Sequence, residues 1–180
     1  MQHFERPFVP LELWASKVRS GDEGNLEARG AAHYWKFFLD KKGAFFREPE
    51  GPPPNDWLNY GYAILRALVA RALVGSGLLP AWGLFHRNKY NPFCLADDIM
   101  EPFRPWADAL VLDMLRRGFA LEPLRKSIKF ELLGIPQADA KTSLGLRPLQ
   151  LAIEQSTASL AQCFLGESKQ LIYPQWITTA

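Results

Sequence analysis

The longest apolar run of the chain is Trp57–Val74, which reads WLNYGYAILRALVARALV. Asp56 precedes it as a candidate N-cap, and Gly75-Ser76-Gly77 follows it as a stop signal. Arg66 and Arg71 lie near the middle of the run, and an arginine there costs roughly 2.5–3.5 kcal/mol in a membrane-spanning helix. The run therefore predicts a central helix buried in protein, with two functional or solvent-reaching arginines, rather than a membrane span.

Apolar residues at helical spacing lie on both sides of this run. Before it, the spacing predicts helices over Pro10–Ser20 and from Asn25, as N-cap, to about Lys41, then a proline-rich loop over residues 43–55. After it, the predicted helices start near Phe93 or Cys94 with an interruption at Pro102, and then cover Trp106–Arg117, Leu121–Leu133 and Ser143–Leu165. Residues 170–177 are the one candidate strand. We predict an all-α fold with a single helical domain over residues 1–180.

Composition excludes several classes of protein. The chain has 180 residues, of which 48% are hydrophobic and 22% charged, which is typical of a soluble globular protein. A formal net charge of +2 provides no global field for nucleic acid, so such a partner needs a local basic patch. Two cysteines and the absence of an export signal at the start of the sequence predict a cytoplasmic location without a disulfide framework. The spacing of cysteine and histidine argues against a structural zinc site.

Three acidic residues, Asp97, Asp98 and Glu101, are spaced so that they can share one helix face. Like charges at this spacing are unfavourable unless something compensates them. One interpretation is a solvated face neutralised by neighbouring basic residues. The other is a divalent-cation site, because carboxylates with one imidazole, such as that of His86, suit Mg²⁺ or Mn²⁺ better than zinc. From spacing alone, a lone histidine such as His86 is more often an ordinary loop histidine than a metal ligand.

Basic residues are concentrated at Arg116, Arg117, Arg125, Lys126 and Lys129. Only one carboxylate, Glu122, lies within the same fourteen residues. One interpretation is that these side chains lie on solvated helix faces. Together with Arg87 and Lys89 they can instead contact phosphates, which supply much of the affinity of a protein for DNA.

Several segments are similar to the sequence motifs of one protein family. They are LNYGYAIL at residues 58–65, HRNKYNPF at 86–93, LADDIMEPFRP at 95–105 and, upstream, the glutamate-containing NLEARGAA at 25–32. In this order they resemble the CRISPR-associated endonuclease and spacer integrase, the first-numbered Cas protein family, and most closely its type II branch. The resemblance covers roughly residues 11–131, with residues 143–180 as a C-terminal helix and tail. It implies the C-terminal helical catalytic domain of that family, without the family's N-terminal β-rich domain.

The resemblance also implies an activity. Members of the family are metal-dependent DNA endonucleases and integrases that insert spacer DNA into the repeat array by phosphodiester transesterification. Carried over by position, the catalytic metal ligands are Glu27, His86 and Glu101, with Asp98 as a secondary candidate, and the ion is Mg²⁺ or Mn²⁺. The implied partners are DNA (prespacer and CRISPR repeat), a small ferredoxin-like second Cas protein and a second copy of the chain.

Two alternatives remain open from the sequence. A truncated, non-catalytic DNA-binding or assembly fragment of the family predicts salt-sensitive DNA binding without metal and no cleavage. A helical structural protein with no role on DNA is the third interpretation.

Overall fold

The computed structural model describes residues 8–19, 21–39 and 45–176. The chain forms two compact units, Met1–Gly51 and Pro52–Ala180. Within the described residues it contains seven α-helices and one two-stranded sheet, so the predicted all-α fold is confirmed apart from that small hairpin. The prediction of a single domain over residues 1–180 stays a prediction.

The first unit contains helices α1 (Phe8–Ala15) and α2 (Leu26–Phe38), which pack against each other. The indole of Trp14 on α1 lies edge-on to the ring of His33 on α2, with 5.6 Å between ring centroids. The guanidinium of Arg29 lies 5.0 Å from the same indole. His33 is therefore a packing residue in this unit. Both helices are shorter than predicted, and Ser20 and Lys41, the predicted ends, lie outside the described residues.

The cap of α2 differs from the prediction. Asn25 occupies the N-cap position in the left-handed conformation, with φ 50° and ψ 39°, and its side chain caps nothing. Instead, the carboxylate of Asp22 accepts hydrogen bonds from the backbone N–H of Leu26 and that of Glu27, both at 2.8 Å. A carboxylate is favourable there because the first N–H groups of a helix lack intrahelical partners.

The second unit is built around α3 (Asn55–Gly75), the predicted central helix. It is followed by α4 (Cys94–Met100), a 3₁₀ turn (Glu101–Phe103), α5 (Arg104–Arg116), α6 (Lys126–Leu132), a 3₁₀ turn (Ile135–Gln137), β1 (Asp139–Thr142), β2 (Gly145–Pro148) and α7 (Leu149–Phe164). Helices α4, α5, α6 and α7 all pack against α3. Among the described residues, no helix is both long and apolar enough to span a lipid bilayer.

The core of this unit lies along α3. Trp57, Leu58, Leu65, Val69 and Leu73 are fully buried there. Burying such side chains is the main favourable contribution to folding, at roughly 1.5–3 kcal/mol for each large aliphatic residue. The α3 sequence therefore forms its helix because its buried apolar residues recur at helical spacing and are covered by the helices that pack against it.

Helix α6 begins later than predicted, at Lys126 rather than Leu121. The preceding backbone is used in tertiary hydrogen bonds. The indole N–H of Trp57 donates to the carbonyl of Glu122 at 2.9 Å, and the N–H of Leu124 donates to Asp56 Oδ2 at 2.7 Å. Asp56 lies in the first turn of α3 rather than at its N-cap, and it joins α3 to this segment.

The predicted helix over residues 143–165 is wrong at its start. Strands β1 and β2 form an antiparallel hairpin there, and α7 begins only at Leu149. Gly145 has a φ of +93°, a conformation that favours glycine, and Pro148 lacks the N–H that a helix interior needs. Of the predicted strand over 170–177, Gln175 forms a single bridge with Lys141, and Ile177 lies outside the described residues.

The chain after α7 returns to α5. The N–H of Ile172 donates to Ser159 Oγ at 2.9 Å. The rings of Trp176 and Trp106 pack with 4.8 Å between centroids, and those of Tyr173 and Phe103 with 5.7 Å. This tail therefore covers the corner at which α4 passes into α5.

Candidate functional site

The candidate site lies where the loop of residues 76–93 meets α4. Asp98, one turn into that helix, has a carboxylate that is only 2% exposed. It accepts hydrogen bonds from the backbone N–H groups of Leu84, Phe85 and His86 at 2.5, 3.0 and 3.1 Å. One side chain therefore sets the backbone conformation of the loop that carries His86.

Asp98 also orients the imidazole of His86. The distance from His86 Nδ1 to Asp98 Oδ1 is 2.5 Å. Burial alone raises the pKa of Asp98, but the hydrogen bonds from the Phe85 backbone, the His86 side chain and the His86 and Leu84 backbones outweigh it and lower that pKa. An ionised carboxylate only accepts, so Nδ1 carries the proton and the lone pair of a neutral imidazole lies on Nε2.

His86 is thus prepared to bind a cation through Nε2. Its side chain is 51% exposed, and within the described chain no hydrogen bond occupies Nε2. A carboxylate that holds the other ring nitrogen is the usual outer-shell partner of a metal-binding histidine.

Glu101 lies in the 3₁₀ turn that the predicted interruption at Pro102 produces, and it is exposed. Arg104, one turn later, pairs with it at 3.0 Å between Nη2 and Oε1. Partial burial raises the pKa of Glu101, the charges of Arg104 and of a protonated His86 lower it, those of Asp97 and Asp98 raise it, and the result is a raised pKa. Glu101 follows Asp98 by three residues, about one helical turn, which brings it to the same side of the chain as the carboxylate that holds His86.

Arg104 also packs against a residue of α3. Its guanidinium lies 4.9 Å from the ring centroid of Tyr62 on α3, and the Tyr62 hydroxyl donates to the buried Asp108 at 2.6 Å. The buried Nε of Arg104 has no hydrogen-bond partner among the described residues. No local sequence pattern marks Tyr62 or Asp108, because their contact joins residues 46 positions apart.

Asp97 has different hydrogen-bond partners from Asp98, although the charges of both raise the pKa of Glu101, and the predicted common acidic face stays a prediction. The buried carboxylate of Asp97 pairs with Arg66 of α3 at 2.6 Å and accepts from Asn91 Nδ2 at 2.7 Å. Consecutive residues on a helix point about 100° apart, which separates Asp97 from Asp98. Asp97 therefore anchors the loop to α3 through Arg66, whose side chain is 45% exposed.

Glu27 belongs to the first unit. It is exposed in the first turn of α2, directly after Leu26, and its N–H is held by Asp22. Its carboxylate therefore lies on a capped helix end. Its role as a ligand stays a prediction.

The predicted phosphate-binding residues are all exposed. Arg117 pairs with Asp113 and Glu131, and its hydrogen bond to Glu131 is the main cause of its raised pKa. Arg125 pairs with Glu122 at 2.5 Å. Lys129 lies over the ring of Tyr60 and Lys89 over that of Tyr90. The remaining members of the set are Arg87, Arg116 and Lys126. Surface ion pairs of this kind are weak and can exchange for phosphate.

The donor chemistry of His86 and Glu101 fits a hard divalent ion such as Mg²⁺ or Mn²⁺. Among the described residues, however, no three His, Cys, Asp or Glu side chains stand together as a ready-made metal-binding group. The carboxylate of Asp98 already accepts hydrogen bonds from the loop backbone and contacts His86. Asp98 therefore fits the role of a residue that orients a metal ligand better than the role of a metal ligand itself.

Tyr173 is a further residue of this corner that the sequence analysis missed. Its ring packs on Phe103 beside the turn that carries Glu101. Burial raises the pKa of Tyr173, and the charge of Asp98 raises it further. No local pattern marks it, because 70 residues separate it from Phe103.

Solved structures share this fold at low sequence identity. A casposase bound to an integration product matches with a TM-score of 0.73 and 21% identity, over 85% of this chain and 50% of the other. A Cas6-RT-Cas1–Cas2 complex matches with a TM-score of 0.73 and 20% identity, over 94% and 21%. A Cas1 protein from Thermotoga maritima matches with 0.65 and 17%, over 92% and 65%. The fold is therefore one found in Cas1 and casposase structures.

Sequence comparison defines the family. The family described as CRISPR associated protein Cas1 matches residues 24–122, more than half of the chain. The CRISPR-associated endonuclease Cas1 of Neisseria meningitidis is 47% identical over 123 residues, which are 68% of this chain and 40% of the relative. A Pyrobaculum aerophilum Cas1 endonuclease is 39% identical over 84% of this chain and 52% of the relative. The chain belongs to the Cas1 family, and it spans about half the length of these relatives.

Proposed function

We propose that this chain carries the helical catalytic domain of a CRISPR spacer integrase, a metal-dependent DNA endonuclease and integrase. The observation that carries the proposal is the His86–Asp98 pair, which leaves Nε2 of an exposed imidazole ready to bind a cation, with Glu101 one turn after Asp98 in the chain. Membership of the Cas1 family supports it, because the similar proteins from Neisseria and Pyrobaculum are named endonucleases.

In this proposal His86 and Glu101 hold Mg²⁺ or Mn²⁺, and Glu27 is the further ligand that the family resemblance implies. When bound, such an ion polarises the scissile phosphate and stabilises the leaving oxygen. Asp98 keeps the proton of His86 on Nδ1 and orients the ring, and Arg104 restrains Glu101. A DNA 3′-hydroxyl or a water forms the new bond to phosphorus as the old P–O bond breaks, so the chain supplies no covalent nucleophile.

The proposed partners are prespacer and repeat DNA, a small ferredoxin-like second Cas protein and a second copy of the chain, in the cytoplasm. Structures with the same fold support the first two, since one is a casposase bound to an integration product and another is a complex of Cas1 with Cas2. The exposed basic residues of the second unit are the proposed phosphate contacts.

Strand transfer and nicking on branched DNA test the proposal, with Mg²⁺, Mn²⁺ or EDTA and with or without the small partner. We expect metal-dependent products that Glu27→Ala, His86→Ala and Glu101→Ala each abolish, while Glu154→Ala, an exposed glutamate on α7, retains them. Circular dichroism of each variant controls for folding. Undiminished cleavage by Glu101→Ala contradicts the assigned site.

A second candidate function is DNA binding or assembly without cleavage. It is favoured by the finding that no three potential ligands among the described residues form a ready-made metal group. It predicts salt-sensitive DNA binding in EDTA and no cleavage at any metal concentration. Calorimetric titration with Mn²⁺ separates the two functions. Only the catalytic function requires a heat of Mn²⁺ binding, and His86→Ala is expected to remove that heat.

A further inference from the structure

The 3₁₀ turn Glu101–Phe103, which carries the proposed ligand Glu101, has little support from its own backbone. It is three residues long, and the hydrogen bonds of a 3₁₀ turn have poorer geometry than those of an α-helix. Pro102 has no N–H to donate. The N–H of Arg104 donates to the carbonyl of Glu101 and closes the turn. The position of the turn therefore depends on how its side chains pack.

Phe103, the last residue of the turn, provides that packing. It is fully buried, whereas Glu101, two residues earlier, is exposed. Two rings contact Phe103 among the described residues, with 6.0 Å between centroids for Trp106 and 5.7 Å for Tyr173. Trp106 lies three residues further along the same segment. Tyr173 is therefore the ring that holds the turn from a distant part of the chain.

Tyr173 belongs to a tail segment, residues 168–176, which contains no helix and is nevertheless fixed at defined points. Before the ring, the N–H of Ile172 donates to Oγ of the buried Ser159 on α7 at 2.9 Å. After it, Gln175 forms two backbone hydrogen bonds with β1, at 2.7 and 3.3 Å. The backbone on both sides of the ring is therefore held, and the ring is placed against the turn.

The contact uses the ring of Tyr173 and not its hydroxyl group. Within the described chain, that hydroxyl has no hydrogen-bond partner, while the ring packs on Phe103 at a centroid distance in the range typical of aromatic pairs. Tyr173→Phe therefore retains the contact, and Tyr173→Ala removes it.

We propose that Tyr173 is a positioning residue for Glu101, because it covers Phe103 and thereby fixes the turn on which the carboxylate lies. This inference rests on the proposed function for the role of Glu101 as a metal ligand. It extends that function by adding the tail segment to the candidate site. A displacement of about 1 Å in a catalytic group can cost on the order of 100-fold in rate. A residue that supports a metal ligand typically contributes about 10- to 100-fold in metal affinity.

Hydrogen exchange of the Arg104 amide in the metal-free chain tests the turn itself, because this N–H is bonded to the Glu101 carbonyl. We expect Tyr173→Ala to raise its exchange rate roughly two- to tenfold, which corresponds to the loss of one aromatic pair. Tyr173→Phe should exchange as the unaltered chain does. The α3 amides are measured in the same samples and report the stability of the whole unit.

Trp176→Ala is the matched control. It also removes a ring of the tail segment that packs on a buried ring, because Trp176 contacts Trp106 with 4.8 Å between centroids. That contact involves α5 and not the turn. We expect Trp176→Ala to raise exchange of the Arg104 amide no more than that of the α3 amides. Tyr173→Leu, which keeps apolar volume without a flat ring, should shift the Arg104 amide in the same direction as Tyr173→Ala but less.

Calorimetric titration with Mn²⁺ tests the consequence for Glu101. We expect Tyr173→Ala to lower Mn²⁺ affinity about 10- to 100-fold. Tyr173→Phe and Trp176→Ala should retain the affinity of the unaltered chain. Rescue by the ring alone, together with retention in the control, distinguishes positioning of Glu101 from a general loss of stability.

Unchanged exchange of the Arg104 amide in Tyr173→Ala overturns the inference. An equal rise in Tyr173→Ala and Trp176→Ala also overturns it, because the tail segment then stabilises the unit as a whole. Faster exchange with full Mn²⁺ affinity means that Glu101 does not need this support, and the inference is again wrong. If the unaltered chain binds no Mn²⁺, the proposed function fails, and the exchange rates alone decide whether Tyr173 fixes the turn.

Discussion

His86 Nδ1 and Asp98 Oδ1 are joined by a hydrogen bond of 2.5 Å across twelve positions of sequence. The same carboxylate holds the backbone of residues 84–86. Asp98 therefore determines both where the histidine lies and which ring nitrogen is available. In the proposed function this makes Asp98 a positioning residue and His86 a ligand.

Replacing Asp98 with asparagine tests that division of roles. Asp98→Asn places an amide NH₂ where a carboxylate oxygen accepts hydrogen bonds, and it no longer stabilises the proton on Nδ1. We expect metal affinity or metal-dependent cleavage to fall about 10- to 100-fold, and the free energy of unfolding to fall by about 1–3 kcal/mol. Calorimetric metal titration and urea unfolding measure the two effects.

Asp113→Asn is the matched control for this substitution. Asp113 of α5 pairs with Arg117 just after the end of that helix, and its side chain is 55% exposed, so we expect a change in stability within about 0.5 kcal/mol. Full metal affinity in Asp98→Asn would show that the histidine does not need this carboxylate.

Gly83→Ala tests the packing of the loop. The added methyl group overlaps the carbonyl of His86, which is backbone and cannot move without displacing the loop. We expect a loss of about 1–3 kcal/mol in unfolding free energy, together with weaker DNA binding, as measured by thermal unfolding and anisotropy. At Gly75, the last residue of α3, a Cβ meets nothing within 4 Å. Gly75→Ala is therefore expected to retain stability, and an equal loss at both positions contradicts the steric argument.

Tyr62→Phe tests the support behind Arg104. Removing the hydroxyl takes away the 2.6 Å hydrogen bond to the buried Asp108, which we expect to lower the free energy of unfolding by about 1–3 kcal/mol. The ring under Arg104 remains, so the restraint on Glu101 is expected to weaken less than stability does. Tyr60→Phe on the same helix is the control, with an expected change within about 0.5 kcal/mol. Denaturant unfolding compares the two variants. Equal free energies of unfolding would mean that the buried hydrogen bond contributes little to stability.

Asp22→Ala tests the cap of α2. Loss of two hydrogen bonds to the first N–H groups of that helix should destabilise it by about 0.5–2 kcal/mol. Hydrogen exchange of the α2 amides is the appropriate readout, because it reports local opening around Glu27. The adjacent, exposed Glu23 provides the control variant Glu23→Ala. Unchanged exchange in Asp22→Ala means that Asn25 or solvent supplies the cap.

Much of the helical framework could be predicted from the sequence. The apolar run Trp57–Val74 predicted α3 to within two residues, because the apolar residues that its core contacts require recur at helical spacing within the run. The interruption at Pro102 was predicted as well, since a proline lacks the N–H of a continuing helix. The hairpin of β1 and β2 was missed, because its residues also fit a helical pattern and only Gly145 and Pro148 argue against it.

The features of the candidate site also fall into those that the sequence predicts and those that only the tertiary structure decides. The sequence by itself determined the central helix, the break at Glu101 and, through short motifs, the family and its implied ligands, because these depend on residues close together in the chain. The tertiary structure decided which partners each carboxylate has. Asp97 and Asp98 are adjacent in sequence, yet one pairs with Arg66 on α3 and the other holds the His86 loop, because the helix turns them toward different neighbours. The partners of a buried carboxylate are set by packing between distant segments, which spacing along one segment does not encode.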